Sequence, residues 1–231
     1  AWTTLQYLHE DPIPALPTTN LFARWVAQDL ALAEGATVAS GAWLDRVSGL
    51  ALSSTGSDSI YHASGGPGSK PYVSIPNTGK LYRTGMFTGW SKVDIWMVFQ
   101  DPTNDSYYFL SVAPTGQYSP SATDSQYHGQ GAQGASIYNG SMVNNLTQSI
   151  RSWIRARFFF SGTTSQVRLK DNVVNGGSNV TTHGDLSLGG HNSSSSEWNN
   201  LDLCEIAIYS GTGTTDPEGV MAHFKAKYGL T

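Results

Sequence analysis

Seven residues, Val93-Asp94-Ile95-Trp96-Met97-Val98-Phe99, form a near-continuous apolar run that stops at Asp101-Pro102. A run this short, rich in β-branched and aromatic residues and closed by turn formers, reads as a buried strand. The same punctuation recurs along the chain. Leu21–Ala27 is the first such run. Tyr107–Val112 follows Val93–Phe99 across a short polar stretch, which predicts a hairpin. Trp153–Phe160 and Gln166–Lys170 flank Ser161-Gly162-Thr163-Thr164-Ser165 as a second hairpin, and Asp171-Asn172 makes a turn after it. Leu186–Gly189 and Leu201–Tyr209 supply two late strands. Many short strands separated by turn clusters predict an all-β sandwich.

Two segments depart from that pattern. Residues 1–19 read as an arm, with Pro12, Pro14 and Pro17 disfavouring the interior of a sheet. Trp2, Leu5, Tyr7 and Leu8 lie on that arm as anchors for a partner surface, or for the body of the domain itself. Near the other end, Thr215 or Asp216 is placed to cap a helix that Pro217 and Glu218 begin. Val220, Phe224 and Tyr228 recur at one-face spacing with Met221 beside them, and Gly229 is placed to end the helix. The helix is expected to seal an open end or edge of the sandwich. Residues 20–231 are read as one domain, a length sufficient for a large core.

Composition narrows the function classes. Charged residues make up 13% of the chain, about half of the usual ~25%, so Ser, Thr, Asn and Gln must provide much of the polar surface. A net charge of -4 without a Lys/Arg cluster argues against a nucleic-acid partner. Arg151, Arg155 and Arg157 interleave with Trp153, Ile154 and Phe158 and read as a strand with a basic outer face. No stretch reaches the ~20 apolar residues of a membrane span, so no membrane insertion is expected, and no signal peptide is visible. Cys204 is the single cysteine, which rules out an internal disulfide. It is expected to be a buried, inert thiol, alternating with Leu203 and Glu205 across the strand.

The order of several motifs is similar to that of the concanavalin A-like lectin/glucanase superfamily, in its laminin-G-like form from bacterial and phage surface proteins. Leu21-Phe22-Ala23-Arg24-Trp25 leads into Asp29-Leu30 and Gly35-Ala36-Thr37-Val38. Trp43-Leu44-Asp45-Arg46 and Ser48-Gly49 follow. Leu186–Gly190 precedes Leu203-Cys204-Glu205-Ile206-Ala207-Ile208-Tyr209, and the helix ends in Lys227-Tyr228-Gly229-Leu230. The resemblance spans roughly residues 20–230 and is most specific at its C-terminal end. It implies an antiparallel jelly-roll β-sandwich of two curved sheets, with one short C-terminal helix and the proline-rich arm outside it. It does not imply one function, because the fold hosts lectins, adhesion modules, glycosidases, lyases and virion components.

Catalytic chemistry is weakly signalled. The glucanase E-x-D-x-x-E motif is absent, and the chain has five glutamates, Glu10, Glu34, Glu197, Glu205 and Glu218. Asp202 and Glu205 are three apart, which on an extended strand sends them to opposite faces. Gln126-Tyr127-His128 resembles the Q-I-H motif of alginate lyases, but the partner motifs of that family are not recognisable. His183 and His191 lack a tight metal spacing. No cofactor is expected; calcium is compatible with the fold, with Asp171, Asp185 and Asp202 as conceivable ligands. Tyrosines interleaved with amides and hydroxyls across residues 104–148 suit a sugar, whose rings have apolar faces and polar edges. Tyr118, Gln126, Tyr127, His128 and Tyr138, with Trp198 on a second rim, are the candidate ligand contacts. The expected function is a non-catalytic, lectin-like module that binds glycan on a phage virion or bacterial surface. The alternatives are a structural virion protein (capsid decoration or fibre subunit) and a jelly-roll polysaccharide lyase. The expected partner is a glycan or a virion or surface protein, and a homo-oligomer is compatible with the reading.

Overall fold

The computed structural model describes residues 12–103, 108–113, 123–126, 134–139, 142–145, 149–177, 183–190 and 199–231. Two eight-stranded sheets stack as a sandwich. The first runs β14 (Asn172–Gly176), β13 (Ser165–Leu169), β12 (Ile154–Phe160), β7 (Val93–Gln100), β16 (Leu201–Tyr209), β5 (Tyr72–Ile75), β4 (Ile60–His62). β1 (Leu21–Val26) pairs with residues 205–209 of β16, while β5 pairs with residues 201–203, so the two share one flank of that long strand. The second sheet runs β11 (Met142–Asn145), β10 (Ala135–Asn139), β9 (Thr123–Gln126), β8 (Tyr108–Ser111), β15 (Leu186–Leu188), β6 (Gly79–Arg83), β3 (Ala51–Gly56), β2 (Trp43–Leu44). Every pairing among the described strands is antiparallel. The structure is thus the antiparallel β-sandwich with one C-terminal helix that the pattern predicts. Among the described residues no helix is long and apolar enough to cross a membrane.

The interior lies between the sheets. Alternate residues of β7 (Val93, Ile95, Met97, Phe99) meet Phe109, Leu110, Leu188 and Phe158 there. Phe99 stacks on Phe109 at 5.1 Å between ring centroids. Trp25 and Trp43 are buried with their indole N–H groups satisfied: Trp25 donates to the carbonyls of Trp43 and Leu50, and Trp43 to that of Val26. This is the condition on which a buried indole is stable.

The other face of the first sheet carries α1 (Pro217–Tyr228). Asp216 caps it by accepting from the Gly219 amide at 2.9 Å, Pro217 opens the first turn, and Gly229 closes it at φ 61°. Val220, Met221, Phe224 and Tyr228 pack on Trp96, Val98, Cys204, Ala207 and Tyr209. The helix therefore covers a sheet face, not an end or edge of the sandwich. That position explains the near-continuous apolar runs of β7 and β16: both strands are buried on both faces.

Several expectations are corrected here. β7 and β8 do not form a hairpin, because they belong to different sheets. Arg155 and Arg157 do lie on the outer face of β12, but they are 2% and 8% exposed. Arg157 forks onto Asp94 at 2.7 and 3.0 Å, and Arg155 reaches Asp171 at 3.0 Å; only Arg151 is exposed. Cys204 is buried, and burial pushes its thiol up, but the simple alternation fails. The register shifts between Leu203 and Glu205, so Leu203 faces the inter-sheet core while Cys204 and Glu205 both face the helix side. The same bulge puts Asp202 and Glu205 on one face, where opposite faces were expected.

The arm is described from Pro12 onward. Residues 12–18 join no sheet, as the prolines require, yet Leu16 is 7% exposed within the helix-side cluster. The Pro17 carbonyl accepts from the Tyr209 hydroxyl at 2.8 Å, and the Pro14 carbonyl bonds His223 Nδ1 at 2.7 Å. Trp2, Leu5, Tyr7 and Leu8 lie outside the described residues.

His183 sits in the interior beside Phe160, at 3% exposure. Among the described residues neither ring nitrogen makes a well-formed hydrogen bond, although the Ser91 backbone faces the ring and favours its charged form. Burial holds its pKa down to about 4 against an ordinary 6.5. A histidine depressed on folding contributes stability that is intact above 6.5 and is lost as the pH falls towards 4. The protein is expected to lose about 2.5 kcal/mol from this group between pH 7 and pH 4.5. Urea unfolding at both pH values, with wild type and His183→Phe, checks it: the variant is expected to show a smaller acid penalty.

Candidate functional site

The outer face of the second sheet is the polar counterpart of its core face. Leu81, Leu110, Leu188, Ile137 and Val143 point inward, so strand alternation turns Lys80, Tyr82, Ser111, Ser187, Ser136 and Asn144 outward. The register joins these into a cross-strand row. Ser53 pairs with Tyr82, Tyr82 with Ser187, Ser187 with Ser111, Ser111 with Asp124, and Asp124 with Tyr138. Five inter-strand steps at about 4.8 Å make this row about 24 Å long. A second row runs Tyr108, Gln126, Ser136, Asn144. Ser136 donates from its hydroxyl to Asn144 Oδ1 at 2.7 Å.

The accessible chemistry of the face is the Tyr82 ring, the Ser53 hydroxyl and the Asn144 amide, set among serines that are closed off from solvent. Ser111, Ser136 and Ser187 are fully buried, whereas Tyr82 is half-buried and Asn144 exposed. The Ser187 hydroxyl donates to the Gly190 carbonyl at 2.8 Å, which fixes its orientation. Lys80 is 9% exposed, with its ammonium 5.7 Å from the centre of the Tyr82 ring. Burial lowers its pKa, with Asp185 pulling the other way. Asp185 accepts from the Gly85 amide at 2.6 Å and so pins the turn after β6 beside the row.

Of the residues proposed from sequence, the structure places Gln126 on β9 and Tyr138 on β10, in adjacent rows of this face's register. Tyr118, Tyr127, His128 and Trp198 lie outside the described residues. Residues 123–126, 135–139 and 142–145, within the stretch read as a recognition surface, are strands. Sequence reasoning missed Lys80, Tyr82, Ser111 and Ser187. The signal was present in Lys80-Leu81-Tyr82 and Leu186-Ser187-Leu188, where single polar and apolar residues alternate.

The calcium candidates do not converge. Asp171 pairs with Arg155, Asp185 caps the Gly85 turn, and Asp202 accepts from the Ser74 hydroxyl and from Gln100 Nε2. Among the described residues no group of three His, Cys, Asp or Glu is placed to hold a metal ion.

No protein-family model matches this chain, and no curated protein matches it. Solved structures do. A mutant α-L-arabinofuranosidase of glycoside hydrolase family 54, soaked with 4-nitrophenyl α-L-arabinofuranoside, aligns with TM-score 0.63 at 11% identity. The alignment covers 94% of this chain and 63% of that one. An arabinofuranosidase complexed with arabinofuranosyl-α-1,2-xylobiose aligns with TM-score 0.62 at 11% identity, over 93% of this chain and 60% of its own. Trypanosoma rangeli sialidase in complex with sialic acid aligns with TM-score 0.59 at 11% identity, over 92% of this chain and 34% of its own. The chain thus spans about three-fifths of the arabinofuranosidases and a third of the sialidase. At this identity the likeness is one of fold: an all-β sandwich of the kind found in glycoside hydrolases and a sialidase. It corrects the expectation that the chain is not an enzyme, because these neighbours are carbohydrate-active enzymes.

Proposed function

We propose that this chain is a concanavalin A-like, glycan-recognising β-sandwich, displayed on a phage virion or bacterial surface, whose ligand lies along the outer face of the second sheet. The observation that carries the reading is the row Ser53, Tyr82, Ser187, Ser111, Asp124, Tyr138. Ser187 and Ser111 are fully buried and brace the row, while the half-buried Tyr82 ring and Ser53 hydroxyl and the exposed Asn144 amide are what the face offers a sugar, whose apolar ring faces meet aromatics and whose hydroxyl edges meet polar groups. A row about 24 Å long suits an extended chain of sugars better than a single ring.

A second reading, a polysaccharide lyase, draws on Lys80. Burial lowers the pKa of this amine, with Asp185 opposing, which favours its neutral, proton-accepting form relative to that of an exposed lysine.

The test is a glycan array followed by incubation of each bound glycan with the protein. Tyr82→Ala is expected to weaken retention roughly tenfold or more, as loss of an aromatic anchor does, at a nearly unchanged melting temperature. Retention without products supports recognition alone, and new ultraviolet absorbance from unsaturated uronates, abolished in Lys80→Met, supports the lyase. Retention insensitive to Tyr82→Ala removes the face from the proposal.

A further inference from the structure

We propose a second binding site, for a single carboxylated sugar, in the cleft between the β6–β7 connection and the β16–α1 connection. It is separate from the sheet-face row and does not rest on it. The cleft has a volume of about 240 Å³ and is lined by Gly89, Trp90, Ser91, Lys92, Ser210 and Gly211. Drug-sized ligands occupy sites of roughly 300–1,000 Å³, so this one suits a single ring.

The lining supplies what such a ring needs. Trp90 is half-buried, and its plane is set from behind: Phe22 meets it edge-on at 4.8 Å and Phe87 tilts against it at 5.5 Å. Its backbone amide donates to the Phe87 carbonyl at 2.9 Å. A braced indole offers a flat apolar surface without an ordering cost on binding. Gly89 and Gly211 sit at φ 82° and 65° with open space where a Cβ would stand, so the rim presents bare backbone. The Ser91 and Ser210 hydroxyls lie beside it, and Ser210 is held by its amide donating to the Asn20 carbonyl at 2.9 Å.

Lys92 sets the ligand class. It is half-buried in the lining and has no carboxylate partner among the described residues. Among the described residues the cleft lining contains no acidic side chain. This contrasts with Arg24, Arg46, Arg155, Arg157 and Arg168, each of which meets an aspartate or glutamate. An ammonium beside an aromatic plate and two hydroxyls matches a sugar with a carboxylate at its edge, a hexuronate or a sialic acid. A neutral sugar would leave the cation unused.

The experiment is saturation-transfer NMR with sodium glucuronate, N-acetylneuraminate and glucose on the intact chain, with melting temperature as the fold control. At least one acid is expected to bind saturably, with a Kd on the order of 1 mM, and glucose at least roughly tenfold more weakly. The stronger of the two acids identifies the sugar. Lys92→Gln, a change at a half-exposed position, is expected to abolish the preference without shifting the melting temperature. Trp90→Phe, which keeps an aromatic plate, is expected to retain it. The inference is overturned if neither acid binds, if acids and glucose bind alike, or if the preference survives Lys92→Gln. Loss of the preference in Tyr82→Ala but not in Lys92→Gln would assign it to the sheet face, leaving the proposed function standing and this site refuted.

Discussion

Glu205→Ala is expected to destabilise the protein by about 3–5 kcal/mol, the usual result of removing one partner from a buried ion pair. Glu205 is fully buried on the helix side of β16. Arg24 from β1 donates to Oε1 at 2.6 Å; Lys227 and the Tyr228 hydroxyl, both from α1, donate to Oε2, the latter at 2.7 Å. Burial alone would push the carboxyl up, but Lys227 and Arg24 outweigh it and hold it below the ordinary range. Arg24 also reaches His223 Nε2 at 3.2 Å, and His223 Nδ1 meets the Pro14 carbonyl. One carboxylate thus gathers strand, helix and proline segment. Its removal leaves two largely buried cations and a buried hydroxyl without their acceptor. For a chain of this size the loss corresponds to a fall in melting temperature of roughly 6–20 °C. Replacing Glu205, Arg24 and Lys227 together by methionine is expected to cost less than Glu205→Ala alone, because no buried charge is then left unpaired. Calorimetry of both variants checks the ordering, and a triple variant less stable than Glu205→Ala would refute it.

That network shows what was legible in the sequence. Arg24, Glu205, Lys227 and Tyr228 all belong to the motifs that carry the family resemblance, and three-dimensionally they are one contact. The most specific part of the sequence pattern is therefore a fold-holding device, which explains why it specifies architecture well and function poorly. The helix was readable because its cap, its proline, its apolar spacing and its terminal glycine all agree. Its resting place was not, since spacing alone does not distinguish a covered sheet face from a covered edge. The bulge at Cys204 was hidden because an extra residue in a strand changes no composition. The false hairpin between β7 and β8 arose because a polar, turn-forming connection reads alike whether it reverses within a sheet or crosses to the other. The candidate face was only half visible. Gln126 and Tyr138 stood out as polar and aromatic residues, but Ser111 and Ser187 acquire meaning only when the register sets them beside Tyr82.

Phe224→Ala is expected to destabilise the protein by about 3–5 kcal/mol, the range for truncating a buried phenylalanine. The ring is fully buried and belongs to the cluster of Trp96, Val98, Ala207, Tyr209, Val220 and Leu16 between helix and sheet. Tyr228 meets it at 6.4 Å and His223 at 5.8 Å, so its loss removes aromatic contacts as well as area. Collapse of the helix onto the sheet would fill part of the cavity, but the helix is not free to move. Arg168 from β13 holds Glu218 through two bonds of 2.6 and 2.9 Å at its first turn, and Glu205 holds Lys227 and Tyr228 at its last. Fixed at both ends, the helix is expected to leave much of the cavity open, which places the cost in the upper half of the range. Phe224→Leu, which keeps most of the volume, is expected to cost less than half as much. Urea unfolding of the two variants measures both. Equal midpoints for Phe224→Ala and wild type would show that the helix contributes nothing to the stability of the sandwich.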